Sequence, residues 1–216
     1  MAIDLTWSLT ALVSGPLAVA LAGRLSGGEV DLLPPGWRNP LTRESFMAGL
    51  VFGSALALLA YRLAGTVVLA AWVWFALTGV PLILIDWVCH RLPSKLMGLM
   101  LVGGIMNFSC LAIAQGGMVP MLRAVLAAVV VFLGALVTAI ALPGSLGGGD
   151  VKLLATAALY LGWMSWTHVV RGVVLALVLA GVTAAALATL GRLSWKDRLA
   201  FGPAVVGGAL ITAVLP

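Results

Sequence analysis

Apolar residues run along this chain in blocks of about twenty, and nearly every charge falls in the short gaps between blocks. A helix crossing the roughly 30 Å hydrocarbon core of a bilayer needs about 20 mainly apolar residues. In lipid such a block must satisfy its own backbone hydrogen bonds, which points to helices. The pattern predicts eight spanning helices, near residues 5–23, 45–61, 66–85, 96–114, 124–142, 153–169, 171–190 and 200–215. One gap is long: residues 24–44, RLSGGEVDLLPPGWRNPLTRE, are polar and rich in Gly and Pro, and read as an irregular loop rather than a folded unit. Residues 1–216 therefore read as one all-α, polytopic membrane helix bundle.

Composition agrees with that pattern. Of 216 residues, 62% are hydrophobic and 9% charged, and the mean hydropathy is +1.17; a water-soluble domain of this size needs more polar surface. The gaps, taken alternately, set the orientation. One side collects Arg24, Arg38, Arg43, Arg91, Lys95, Lys152, Arg192, Lys196 and Arg198, and the other only Arg62, Arg123 and Arg171. The excess of basic residues marks the cytoplasmic side, which leaves both termini outside. The net charge of +5 then reflects orientation, and no basic patch suggests nucleic acid as a partner. The first block lacks a basic n-region and carries Asp4, so it reads as a retained helix rather than a cleaved signal. Cys89 and Cys110 have no spacing that suggests a disulfide framework.

Several chemistries drop out for want of residues. No His-Glu-x-x-His pair exists, and His90 and His168 fall on opposite expected sides, so a zinc site is not expected. Ser145, in Pro143-Gly144-Ser145-Leu146-Gly147, is not in a nucleophile elbow and has no His in its loop. Cys89 and His90 are sequence neighbours, which rarely face each other. The glycine run 147–149 lacks the Gly-Lys-Ser/Thr ending of a phosphate loop.

Two carboxylates remain, Asp86 at the end of one apolar block and Asp150 at the start of another, both on the expected cytoplasmic face. A carboxylate near membrane depth is costly and is a functional candidate by default. If the two face each other they cannot both ionise cheaply and would share a proton, one serving as base toward water and the other as acid toward the leaving group. Gly147 and Gly149 suit this chemistry, since residues without side chains let a substrate backbone approach. Two structural alternatives stand beside it: Asp150 as a helix cap, and Asp86 as the point where a helix meets water.

These surroundings resemble the type IV prepilin peptidase family of intramembrane aspartic proteases, here in a short form. The likeness rests on Gly147-Gly148-Gly149-Asp150-Val151-Lys152-Leu153-Leu154, similar to the family's Gly-x-Gly-Asp-x-Lys-Leu, and on Ile85-Asp86 followed by Arg91-Leu92-Pro93-Ser94-Lys95-Leu96. Pro40-Leu41-Thr42-Arg43-Glu44 and Phe201-Gly202-Pro203 also resemble family segments. The resemblance implies a catalytic pair Asp86 and Asp150 in a multi-pass protein of the bacterial inner membrane. Its substrates would be prepilin- or pseudopilin-like proteins of pilus or secretion systems, cut at the cytoplasmic surface to remove a short basic leader. Lys152 is then either a positioning group or an ordinary cytoplasmic lysine. The likeness departs at residues 24–44: many bacterial members carry two Cys-x-x-Cys pairs there and also methylate the new N-terminus, whereas this stretch has no cysteine. Zinc and other cofactors are not expected, and methyl transfer does not follow from the resemblance. Two other readings use the same residues, a proton-coupled transporter or channel with the aspartates as relay, and a scaffold that binds pilin-like proteins without cutting them.

Overall fold

The structure, a computed structural model, describes residues 62–63, 66–89, 92–142, 146–189 and 201–215, apart from the side chains at 84 and 87–89. The expected helices at 5–23 and 45–61, the loop at 24–44, Ser145 and the Cys89-His90 side chains lie outside these residues. Within them the chain forms six α-helices: α1 (Leu69–Cys89), α2 (Ser94–Gln115), α3 (Val119–Ala141), α4 (Gly148–Met164), α5 (Trp166–Thr189) and α6 (Gly202–Val214). Of these, α2, α3 and α5 are long and apolar enough to cross a membrane. The other three sit where spans were expected but do not meet that standard among the described residues: α6, at 13 residues, would be only about 20 Å long.

Local chemistry explains the breaks. Gly116 takes a left-handed φ of 65° and turns its N–H back on the last carbonyls of α2, the usual glycine stop. Pro120 then opens α3, where its missing N–H costs nothing. Between α4 and α5 the expected boundary near residue 170 is displaced. Ser165 is extended, and its Oγ accepts the His168 backbone N–H at 3.2 Å, so the hydroxyl starts α5 five residues earlier. The apolar residues after it hide this break in the hydropathy pattern. Arg171 consequently lies inside α5, and Arg123 inside α3, rather than in loops.

The helix α4 is the centre of the bundle, packed against α2, α3, α5 and α6. It is buried nearly all round, from Val151 to Trp163, so its neighbours rather than its own length shield it from lipid. Its C-terminal half joins a cluster of rings. Tyr160 lies 4.8 Å from Phe75, 5.3 Å from Phe108 and 5.8 Å from Trp72, while Trp163 stacks on Phe108 at 4.7 Å. The buried Tyr160 hydroxyl donates to the Met100 carbonyl at 2.8 Å, so its polar tip is satisfied.

Arg123 closes α4. Its Nε donates to the Gly162 carbonyl at 2.7 Å, and its Nη2 donates to Trp163 and to Met164 at 2.9 Å. These are the carbonyls a helix C-terminus leaves without partners, and a cation there also meets the negative end of the helix dipole. Gly162 makes the approach possible, because a Cβ on it would lie 2.7 Å from Ala127 Cβ and 2.9 Å from Ala124 Cα. Arg123→Met is therefore expected to lower stability by about 2 kcal/mol, a melting temperature in detergent lower by roughly 4–8 °C. An unchanged melting temperature would contradict this clamp.

Candidate active site

Asp86 stands near the C-terminal end of α1 and is 4% exposed. A buried carboxylate needs hydrogen bonds, and Asp86 Oδ2 accepts the backbone N–H of Gly202 at 2.7 Å, across 116 residues of sequence. Gly202 is the first residue of α6; the preceding Phe201 provides no side-chain cap. Asp86 thus caps α6 from another helix, where the partial positive charge of a helix start favours an anion. The fit is close: a Cβ on Gly202 would lie 2.8 Å from Asp86 Oδ2 and 3.2 Å from its Cβ and Cγ.

Asp150 is the third residue of α4 and half-buried. Its Oδ2 accepts the Gly147 N–H at 3.0 Å, the half of a capping box that a carboxylate supplies. Gly149 lets this first turn settle on the connection between α1 and α2: a Cβ there would lie 3.0 Å from Leu92 Cβ. The structural alternative for Asp150 therefore stands, since its carboxylate caps its own helix, whereas Asp86 does not mark where a helix meets water: it is buried and caps α6 instead. Capping does not exclude chemistry, because a carboxylate accepting one amide still has sites for further bonds.

Two packing contacts put the aspartates at the same end of the bundle. Leu92 follows Asp86 by six residues and touches the turn that carries Asp150. Helical periodicity then places Asp150 on one stripe with Leu154, Ala157 and Leu161, and these three share a small packing gap with Val205 and Ala209 of α6. Val205 lies one turn past the Gly202 amide that holds Asp86. The Asp150 edge of α4 thus follows α6 toward the helix start where Asp86 is seated. Lys152, two residues on and about 200° round the helix, turns elsewhere and lines a cavity with residues of α2 and α3.

A second polar pair lies at the opposite end of α4, where Ser165 Oγ is 2.6 Å from His168 Nδ1. The same hydroxyl caps α5, and the pair reads as a helix start rather than an activated nucleophile. Gly202 and Arg123 were not singled out as functional from the sequence. The Phe201-Gly202-Pro203 run does signal a helix start, but nothing local indicates which distant side chain meets it.

The type IV leader peptidase family model matches residues 72–190, a stretch that contains Asp86, the glycine turn and Asp150. A search of curated proteins found no match, and neither did a search of solved structures.

Proposed function

Because the chain belongs to the type IV leader peptidase family, we propose that it is an intramembrane aspartic endopeptidase that removes the leader of prepilin- or pseudopilin-like proteins at the cytoplasmic face. The observation that carries this reading is the placing of Asp86, seated on the start of α6, and of the Asp150 turn, packed on Leu92, at one end of the bundle. In the proposed reaction the two carboxyls share one proton. The ionised member takes a proton from water as the water oxygen bonds to the scissile carbonyl carbon. The protonated member polarises the carbonyl, and when the C–N bond breaks a proton passes to the leaving amine. The Gly202 amide orients Asp86, the Gly147 amide orients Asp150, and Gly149 lets the Asp150 turn close on Leu92.

The proposed setting is a multi-pass protein of the bacterial inner membrane with eight spans, both termini outside and the aspartate end in the cytoplasm, as the distribution of basic residues suggests. The grouping of both carboxylates at one end favours proteolysis over a proton relay, which needs ionisable groups spread through the membrane depth. The test is direct: the purified protein in liposomes is mixed with a leader-bearing prepilin-like protein, and the intact mass of the substrate is followed. Loss of the leader is expected; if no such substrate is shortened, the reading fails.

A further inference from the structure

Lys152 leads to a second site on the same bundle. A cavity of about 380 Å³ lies between α2, α3 and α4, lined among others by Ser94, Met97, Gly98, Phe132, Leu133 and Lys152. That volume falls in the roughly 300–1,000 Å³ range of ligand pockets. Its outer wall is open: Val129 is 48% and Leu133 52% exposed, on a helix apolar enough to span a membrane. The groove therefore opens sideways, toward lipid.

Its two ends differ in chemistry. Ser94 opens α2 and Lys152 lies in the second turn of α4, so the hydroxyl and the ammonium sit at the aspartate end of the bundle. From there the groove runs along apolar surface to Phe132 and Leu133, in the middle of α3. The Lys152 carbonyl accepts the Thr156 hydroxyl at 2.8 Å, while its ammonium has no hydrogen bond or ion pair among the described residues. A cation and a hydroxyl above an apolar trough match a molecule with an anionic head and a hydrocarbon tail.

We infer that the groove between α2, α3 and α4 binds one anionic phospholipid of the surrounding bilayer, with its phosphate on Lys152 and Ser94 and an acyl chain along Met97, Gly98 and Phe132. Basic pockets between helices on the cytoplasmic side are suited to anionic lipid heads, each basic residue near the surface adding roughly fivefold to the preference. A basic peptide leader is a poor occupant, since Lys152 repels it. The site lies on a different face of α4 from Asp150 and does not depend on the peptidase reading.

Native mass spectrometry of the full-length protein, released from detergent with phosphatidylglycerol or phosphatidylcholine of equal chain length, tests this. Wild type is expected to keep one phosphatidylglycerol at ratios where phosphatidylcholine is lost. Lys152→Gln removes that preference by about fivefold, and Lys95→Gln, outside the groove, preserves it. Gly98→Leu fills the trough and weakens retention of both lipids; nothing stands within 4 Å of a Cβ at that position, so the fold tolerates it, as circular dichroism can verify. Equal retention of the two lipids by wild type, an unchanged preference in Lys152→Gln, or full retention in Gly98→Leu overturns the inference. Displacement of the bound lipid by one equivalent of an apolar helical peptide also overturns it, and assigns the groove to a protein partner.

Discussion

Asp86→Asn and Asp150→Asn each reduce leader cleavage by about a thousandfold while the bundle stays folded. Asparagine keeps the size of aspartate and an oxygen that can accept an amide, so the Gly202 bond at Asp86 and the Gly147 bond at Asp150 both have a successor. What is lost is the exchangeable proton, and acid–base catalysis by one group contributes roughly 10²–10⁴-fold. The double variant is the sharper arm. Groups acting as one unit are grossly non-additive, so Asp86→Asn combined with Asp150→Asn should be scarcely slower than either alone. Rates are read from the mass shift of a leader-bearing substrate, and folding from the melting temperature. Near-normal cleavage by either single variant would remove the paired-carboxylate mechanism and leave the aspartates as caps.

The second large effect falls on a residue with no side chain. Gly202→Ala places a methyl group 2.8 Å from Asp86 Oδ2, closer than the two atoms can stand, so either the carboxylate or the start of α6 must shift. Misplacement of a reacting group by about 1 Å can cost 10²-fold in rate, and a loss of that order is expected in kcat with a smaller change in KM. Two glycines further along α6 calibrate the result. A Cβ on Gly207 meets only Leu179 Cδ1 at 3.9 Å, whereas one on Gly208 meets the Ala176 backbone nitrogen at 2.9 Å. Gly207→Ala should retain full activity, and Gly208→Ala should lower the melting temperature. If Gly202→Ala cleaves as fast as Gly207→Ala, the amide has no part in orienting Asp86.

The helices were legible in the sequence because apolar blocks report burial or lipid contact directly: the six blocks after residue 65 each correspond to a helix of the described structure. Boundaries were less legible: the end of α2 was read to within a residue or so, but α3 begins at Val119, five residues before the expected 124, although Pro120 marks that start. At Ser165 the marker is one hydroxyl inside an apolar run, and the break was placed too late. Asp86 and Asp150 stood out because charge is scarce among apolar neighbours. Their hydrogen-bond partners did not, since Gly202 reaches Asp86 across 116 residues and Arg123 reaches the end of α4 across 39 to 41. Such pairings are set by how helices pack, which hydropathy does not encode; an arginine that seals a helix has the same local signature as one facing water.

The ring cluster has a mechanical consequence. Trp72 and Phe75 lie in the first turns of α1, Phe108 in the later part of α2, and Tyr160 and Trp163 in the last turns of α4, all toward the end remote from the aspartates. With Arg123 they fasten that end, and the opposite end is fastened in its turn by the Asp86–Gly202 bond and by the buried side chains of Leu82, Met97, Leu153 and Phe201. The bundle is thus pinned at both ends of α4, by stacked rings at one and by a carboxylate seated on a helix start near the other, so a change at either end is felt along the whole helix between them.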